Sequence, residues 1–214
     1  MVLKKKIQVK KHPDSQISEE FDLIRMNMEF SSIENQCRTI AITSANEGEG
    51  KSTITANLAL SLAEDGKRVL ILDMNVRNPA IHKIFHIKNS LGLTNVLIGQ
   101  KHIEEVILQT GDPLIGVVVS GPIPYNSERL YKSPLMEKVL EKAKQLYDFV
   151  LIDTPSILNE SDTKVISSKS EGVIMIVQHG KTEDQSAIEA KKLLQIAKAK
   201  LIGVIVNRRR KVTF

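Results

Sequence analysis

Among its 214 residues the chain has no tryptophan, three tyrosines and five phenylalanines, so its core has to be built from aliphatic side chains. It has one cysteine, Cys37, which excludes a disulfide framework within the chain and suits a reducing compartment. Nothing around Cys37 points to a lowered pKa, and it reads as a packed or surface thiol rather than a nucleophile. No run approaches the roughly 20 apolar residues that a membrane span needs. The first residues also lack the apolar core of a signal peptide. These absences predict a cytoplasmic protein whose attachment to the inner face of the cell membrane, if any, is peripheral, through a partner or through its basic ends. Internal repeats and low-complexity linkers are missing too, which favours one domain.

What is present is ordinary for a chain that buries a core: 42% hydrophobic and 26% charged residues. The net charge of +5 comes largely from the ends, Lys4-Lys5-Lys6 with Lys10-Lys11, and Arg208-Arg209-Arg210-Lys211. Such runs are solvated tails, or they contact an anionic membrane surface, where each Lys or Arg adds about 1 kcal/mol. No aromatics are interleaved to stack on bases, so no nucleic acid is expected as a partner. The divisions implied are a basic arm at 1–17, one domain at 18–207 and a basic tail at 208–214.

Hydrophobic period locates the elements. Phe21, Ile24 and Met28 recur at helical spacing after Ser18, a suitable N-cap. Short continuous apolar runs at 39–43, 68–73, 115–121, 148–155, 172–178 and 201–207 read as buried strands. Between them lie the helix closed by Gly66, a helical turn at 79–85 with Pro79 in its first turn, and a short helix after Gly92. An amphipathic helix follows at 133–147, and another, capped by Thr182, carries acids early and lysines late, as the helix dipole prefers. Fully apolar strands alternating with amphipathic helices predict an α/β fold, a mostly parallel central sheet with helices on both faces.

One stretch is too specialised for a turn. Ala45-Asn46-Glu47-Gly48-Glu49-Gly50-Lys51-Ser52 lies between an apolar strand and an amphipathic helix and has the spacing of a phosphate-binding P-loop, with Ala in place of the first glycine. Gly48 and Gly50 let backbone N–H groups close on phosphate oxygens with no Cβ in the way. The helix that follows offers its unpaired N-terminal N–H groups to the same anion. Lys51 is expected to reach the β- and γ-phosphates, Ser52 to place its hydroxyl on Mg²⁺, and Thr53 to bond a nearer phosphate. ATP and Mg²⁺ are the implied ligands, held by the loop from Glu47 to Thr53.

Mg²⁺ takes hard oxygen ligands, commonly one or two carboxylates beside the phosphates. Two of the strands end in aspartate, Asp73 and Asp153, and in a parallel sheet those ends line the ligand crevice. Both are therefore expected to face the nucleotide, against the plainer reading that each only caps a turn. Asp162 is read chiefly as a helix cap.

"ANEGEGKST", "VLILDMNVRNPAIHKIF", "GLTNVLIG", "VVVSGPIPYN" and "YDFVLIDTP" follow one another in the order of the bacterial tyrosine kinases, the P-loop enzymes that regulate capsule and exopolysaccharide synthesis. The chain resembles that family from about Ser18 to Asn207. The pattern Arg77-x-Pro79-x-x-His82-x-x-Phe85 distinguishes it from the cell-division and partition ATPases that share the P-loop fold. The resemblance implies ATP–Mg²⁺ as phosphoryl donor, a protein tyrosine as acceptor and a transmembrane activator of the polysaccharide export machinery as partner. It assigns Lys51, Asp73 and Asp153 to catalysis, Ser52, Asp73 and Asp153 to the metal, and Asn207 to the adenine, although Asn207 also fits a strand-end turn. Arg77 would steady the nearby acids or a subunit contact, or pair structurally.

The chain departs from the family in three places. The second nucleotide motif, Asp-x-Asp in the family, reads Asp73-Met74-Asn75, leaving Asp73 as its only carboxylate able to take a proton. The Glu-x-x-Arg-x-x-Arg that joins family subunits into a ring reads Glu19-x-x-Asp22-x-x-Arg25, and an anion at Asp22 counts against a ring if its partner is acidic. The family often ends in a tyrosine cluster, whereas the tyrosines here are Tyr125, Tyr131 and Tyr147. Two other readings therefore stay beside the kinase: a nucleotide-binding scaffold with weak or no transfer, and a partition-type switch ATPase.

Overall fold

The apolar runs become strands because both faces of each are covered. In the computed structural model, which describes residues 16–35 and 37–208, the elements follow one another as α1 (Gln16–Asn35), β1 (Thr39–Ser44), α2 (Lys51–Glu64), β2 (Val69–Asp73), α3 (Ile81–Ile84), α4 (Leu93–Leu97), α5 (Ile103–Val106) and β3 (Leu108–Gln109). Then come β4 (Ile115–Val118), α6 (Ser127–Tyr131), α7 (Pro134–Leu146), β5 (Phe149–Asp153), α8 (Asp162–Lys169), β6 (Gly172–Gln178), α9 (Asp184–Ile196) and β7 (Leu201–Asn207). Among the described residues the sheet has seven strands, in the order β3-β4-β2-β5-β1-β6-β7. Every pairing is parallel except that of β3 with β4.

Alternate residues of each strand serve opposite layers, as the strand's two-residue period requires. Leu70 and Leu72 of β2 belong to the core layer that also holds Leu97 of α4, Ile103 of α5, Leu140 of α7 and Leu194 of α9. Val69 and Ile71 belong to the layer on the other face, with Met28 of α1, Leu58 of α2 and Ile84 of α3. Phe21 and Ile24 join Met28 against that second layer, as their spacing predicts. Among the described residues no helix is long and apolar enough to cross a membrane.

Several local expectations need correction. Helix α1 already includes Gln16 and Ile17, so Ser18 lies inside it, 3% exposed, and is not its cap. The rest of the expected basic arm, and the tail beyond Arg208, lie outside the described residues. Pro79 precedes the short helix α3, whose N-cap is Ala80. Helix α9 is capped at Glu183; the Thr182 hydroxyl is engaged elsewhere, as described below. Cys37 is 2% exposed and its thiol donates to the Glu171 carbonyl at 2.9 Å, while burial raises its pKa, so it is a packed thiol.

Candidate active site

The register fixes where the chemistry-bearing residues meet. Ser44 at the end of β1 lies opposite Ile176 of β6, Asp73 lies opposite Asp153, and Gln178 lies opposite Asn207. The carboxyl ends of β1, β2, β5, β6 and β7 thus form one rim, and the loop from Ala45 to Gly50 rises from its middle strand.

Gly48 has φ 75° and Gly50 has φ 102°, left-handed conformations that a side chain would strain. The turn they make delivers the chain into α2, whose first intrahelical bond runs from Ile54 N to Gly50 O at 2.9 Å. Lys51 is 7% exposed and lies back across the loop, its Nζ donating to Ser44 Oγ at 2.9 Å. Ser44 Oγ in turn donates to Asn46 O at 2.6 Å, so the lysine, strand end and loop form one linked unit. Ser52 and Thr53 are half-buried in the first turn of α2, while Glu47 and Gly48 are exposed.

Glu49 behaves differently from its neighbours. Its side chain is 0% exposed and turns away from the loop's open face, accepting from Thr182 Oγ1 at 2.6 Å. Its carbonyl accepts from Asn207 Nδ2 at 2.7 Å. Asn207 therefore braces the P-loop from the last strand, and its amide nitrogen stands only 2.3 Å from where a Cβ on Gly50 would be. The segment between β6 and α9 is itself closed by Gln178 N donating to Thr182 Oγ1 at 2.7 Å. It brings the Lys181 ammonium beside Gly48, 3.6 Å from the position a Cβ would take there. Sequence reasoning missed Lys181 and misread Thr182, because "HGKTED" carries the local signature of a helix start and only the tertiary fold places it over the loop.

The two aspartates are both 0% exposed. Asp73 Oδ1 accepts from Asn75 N at 3.2 Å, and its Oδ2 accepts from Ala80 N at 3.2 Å and Ile81 N at 3.1 Å. It thereby folds the segment 74–81 around itself. Burial, and then the adjacent Asp153 carboxylate, raise its pKa well above the ordinary carboxylate range against the opposing pull of those three N–H groups. Met74 between Asp73 and Asn75 is held twice: its N–H donates to Asp153 O at 2.9 Å, and its carbonyl accepts from the buried Tyr131 hydroxyl at 2.9 Å. The Asn75 amide oxygen accepts from Asn78 N at 3.2 Å, so this residue shapes the turn it occupies. Thr43 Oγ1 and Thr163 Oγ1 both donate to Pro155 O at 3.0 Å, which fixes the chain directly after Asp153.

Arg77 is 61% exposed and pairs through Nε with Glu160 at 3.2 Å. Asp22 accepts from Ser61 Oγ of α2 at 2.8 Å, and Arg25 pairs with Glu29 at 3.0 Å and Asp65 at 3.2 Å. Asp22 and Arg25 of the altered α1 motif are thus tied within the chain. Asp162 opens α8 and accepts from the Ser127 hydroxyl of α6.

The arrangement suits a phosphate chain with a divalent cation. Two glycines leave a concave backbone that a Cβ would fill, two lysines converge on it, and a helix N-terminus faces it. Ser52, Asp73 and Asp153 carry oxygen atoms of the hard kind that could serve Mg²⁺.

Residues 37–200 match the AAA domain family. Over 195 residues the chain is 40% identical to the tyrosine-protein kinase YwqD of Bacillus subtilis (strain 168), covering 91% of this chain and 82% of that protein. Its fold is similar to the crystal structure of the chimerical protein CapA2B2, with a TM-score of 0.90 and 34% identity over 99% of this chain and 96% of that one. It is also similar to the septum site-determining protein MinD complexed with Mg-ADP from Pyrococcus horikoshii OT3, with a TM-score of 0.69 and 26% identity over 80% of this chain and 70% of that one.

Proposed function

The chain belongs to the AAA domain family and, within it, to the bacterial tyrosine-protein kinases, and from that membership we propose how its residues carry the reaction. The enzyme transfers the γ-phosphoryl group of ATP to a protein tyrosine. The partition-type switch is the weaker reading, because the likeness to MinD is lower and covers less of the chain than the likeness to CapA2B2.

Phosphoryl transfer asks a protein for position and charge rather than covalent chemistry. The loop amides from Glu47 to Thr53 hold the phosphates, and Lys51 neutralises the β- and γ-oxygens once it leaves Ser44 Oγ for them. Lys181, beside Gly48, adds a second positive charge at the same loop. Ser52, Asp73 and Asp153 would hold Mg²⁺, which when bound would neutralise the charge of the triphosphate. Asn207 gives one of its two amide hydrogens to the Glu49 carbonyl, and its amide oxygen can accept from the adenine 6-amino group. The incoming tyrosine oxygen attacks the γ-phosphorus, the bond to the β–γ bridging oxygen breaks, and ADP leaves with that electron pair. The phenolic proton passes to the Asp73 carboxylate.

The observation that carries this reading is the register of Asp73 against Asp153 on one rim with the buried Lys51 of the P-loop. The regulation of capsule and exopolysaccharide synthesis, and a transmembrane activator as partner, rest on the family likeness. The test is ATP- and Mg²⁺-dependent phosphotyrosine formation on a glutamate–tyrosine copolymer. Lys51→Met removes the charge while keeping much of the side chain's length, and is expected to lower turnover at least a hundredfold. A Lys51→Met chain with full turnover overturns the assignment, and a wild-type chain that binds nucleotide but labels nothing supports the scaffold reading.

A further inference from the structure

Between the α4–α5 segment and α7 the surface opens into a groove of about 600 Å³, within the size range of ligand sites. Its floor is aliphatic, with Val96 of α4, Ile103 of α5, and Leu135 and Val139 of α7. Its walls carry Lys101, Lys138 and Lys142 against one acid, Glu104. Neither the phosphate loop nor either strand-end aspartate lines it.

Lys138 and Lys142 stand four residues apart on α7, so their charges repel along one helix face. Lys138 is exposed and makes no ion pair among the described residues. Lys142 pairs with Glu104 at 3.1 Å and Lys101 with Glu105 at 2.8 Å. Both are half-exposed surface pairs, which contribute little and exchange readily for another carboxylate. A bare anion would satisfy the lysines and leave the aliphatic floor uncovered. A peptide with carboxylates beside an apolar side chain satisfies both. From Leu135 to Lys142 the helix advances about 10 Å, room for about three residues of an extended chain. One end of the groove lies close to the chemistry: Leu135 is in the first turn of α7, just after α6, whose last residue, Tyr131, bonds the Met74 carbonyl next to Asp73. A chain leaving the groove at that end runs toward the rim.

We propose that this groove is an accessory docking site for an acidic stretch of the protein substrate, with carboxylates flanking an apolar or aromatic side chain, held outside the catalytic rim. That the occupant is the substrate rests on the tyrosine-kinase reading above; that it is an acidic chain rests on the groove itself. Its carboxylates meet Lys138 and Lys142 in place of Glu104, its apolar side chain covers Val96 and Val139, and no bond is made or broken there. Contacts that stay the same while the phosphoryl group moves lower KM and leave kcat alone.

The experiment compares wild-type chain with Lys138→Glu/Lys142→Glu, with Lys138→Gln, and with Lys191→Glu/Lys192→Glu, a control that makes the same change of charge on α9, which lines no part of the groove. The probe is the glutamate–tyrosine copolymer, used as phosphoryl acceptor and, fluorescein-labelled and without nucleotide, in binding followed by anisotropy. Lys138→Glu/Lys142→Glu is expected to raise KM for the copolymer at least fivefold, with kcat within about twofold of wild type, and to weaken binding as much. Its calorimetric affinity for Mg-ADP is expected to stay unchanged. Lys138→Gln, which breaks no ion pair, is expected to raise KM about twofold, and the α9 control to move neither KM nor binding. An unchanged KM in Lys138→Glu/Lys142→Glu, an equal rise in the control, or a lower kcat at constant KM overturns the proposal and leaves the kinase reading standing. If the wild-type chain labels no copolymer, the kinase reading falls and anisotropy decides the groove: a fivefold loss in Lys138→Glu/Lys142→Glu alone supports a site for acidic chains, and equal binding overturns it.

Discussion

Substituting Gly50→Ala tests the P-loop geometry through two separate effects. The residue sits at φ 102° and ψ 13°, where an L side chain is strained by about 1–3 kcal/mol. The added Cβ would also stand 2.3 Å from Asn207 Nδ2, far inside van der Waals contact. Asn207 cannot withdraw freely, because that nitrogen donates to Glu49 O at 2.7 Å, and losing this bond costs about 1 kcal/mol more. The sum is a loss of about 2–4 kcal/mol, which in a chain of this size lowers Tm by roughly 5–15 °C. Asn207→Ala alone gives up only the hydrogen bond, about 1 kcal/mol. In the double variant the clash is gone and the bond is lost once rather than twice, so the combined cost falls short of the sum by about 1 kcal/mol. Urea unfolding of the four chains measures the cycle, and calorimetric titration with Mg-ADP is expected to show at least tenfold weaker binding for Gly50→Ala. A Gly50→Ala chain within 0.5 kcal/mol of wild type, or strict additivity with Asn207→Ala, refutes the reasoning.

Two further outcomes follow from other contacts. Burial alone would raise the Glu171 carboxyl, but the Lys144 ammonium at 2.7 Å and the N–H groups of Arg38 at 2.6 Å and Thr39 at 2.9 Å outweigh it and hold its pKa below the ordinary 4.5. A carboxyl depressed on folding stabilises above its unfolded pKa and loses that contribution as pH falls through the folded value. Urea unfolding between about pH 7 and pH 3 should therefore show Glu171→Gln less stable by about 1 kcal/mol at neutral pH, with the difference shrinking below pH 4.5; a constant difference would contradict this. Asn75→Asp restores a second carboxylate beside Asp73 and is expected to raise copolymer phosphorylation severalfold at saturating Mg²⁺; unchanged or lower turnover shows that the amide is not limiting.

The sheet was legible because its strands are buried on both faces, so runs such as "RVLILD" and "DFVLID" lack the polar alternation of a half-exposed strand. Some missed elements have a pattern too short for a period: β3 has two residues, α5 four and α6 five, while α8, with eight, is read in the sequence only as a cap at Asp162. Strand β3 also runs antiparallel at the sheet edge, against the trend of its neighbours. Of the site, the P-loop and the two strand-end aspartates announce themselves because local chain geometry and chemistry coincide there. The brace from Thr182 and Asn207 onto Glu49, and the approach of Lys181 to Gly48, join positions more than 130 residues apart. No local pattern encodes them. Thr182 shows why: a threonine before acids looks like a cap, yet its hydroxyl bonds a carboxylate from the other end of the chain.

The account stands or falls on whether this rim binds a magnesium nucleotide through Lys51 and the loop around it. Isothermal calorimetry of the chain with ADP, with and without Mg²⁺, measures that directly. One site per chain is predicted, weakened at least tenfold when Mg²⁺ is chelated and again when Lys51→Met is substituted. An absence of heat with the wild-type chain, or equal affinity in the Lys51→Met chain, would contradict it.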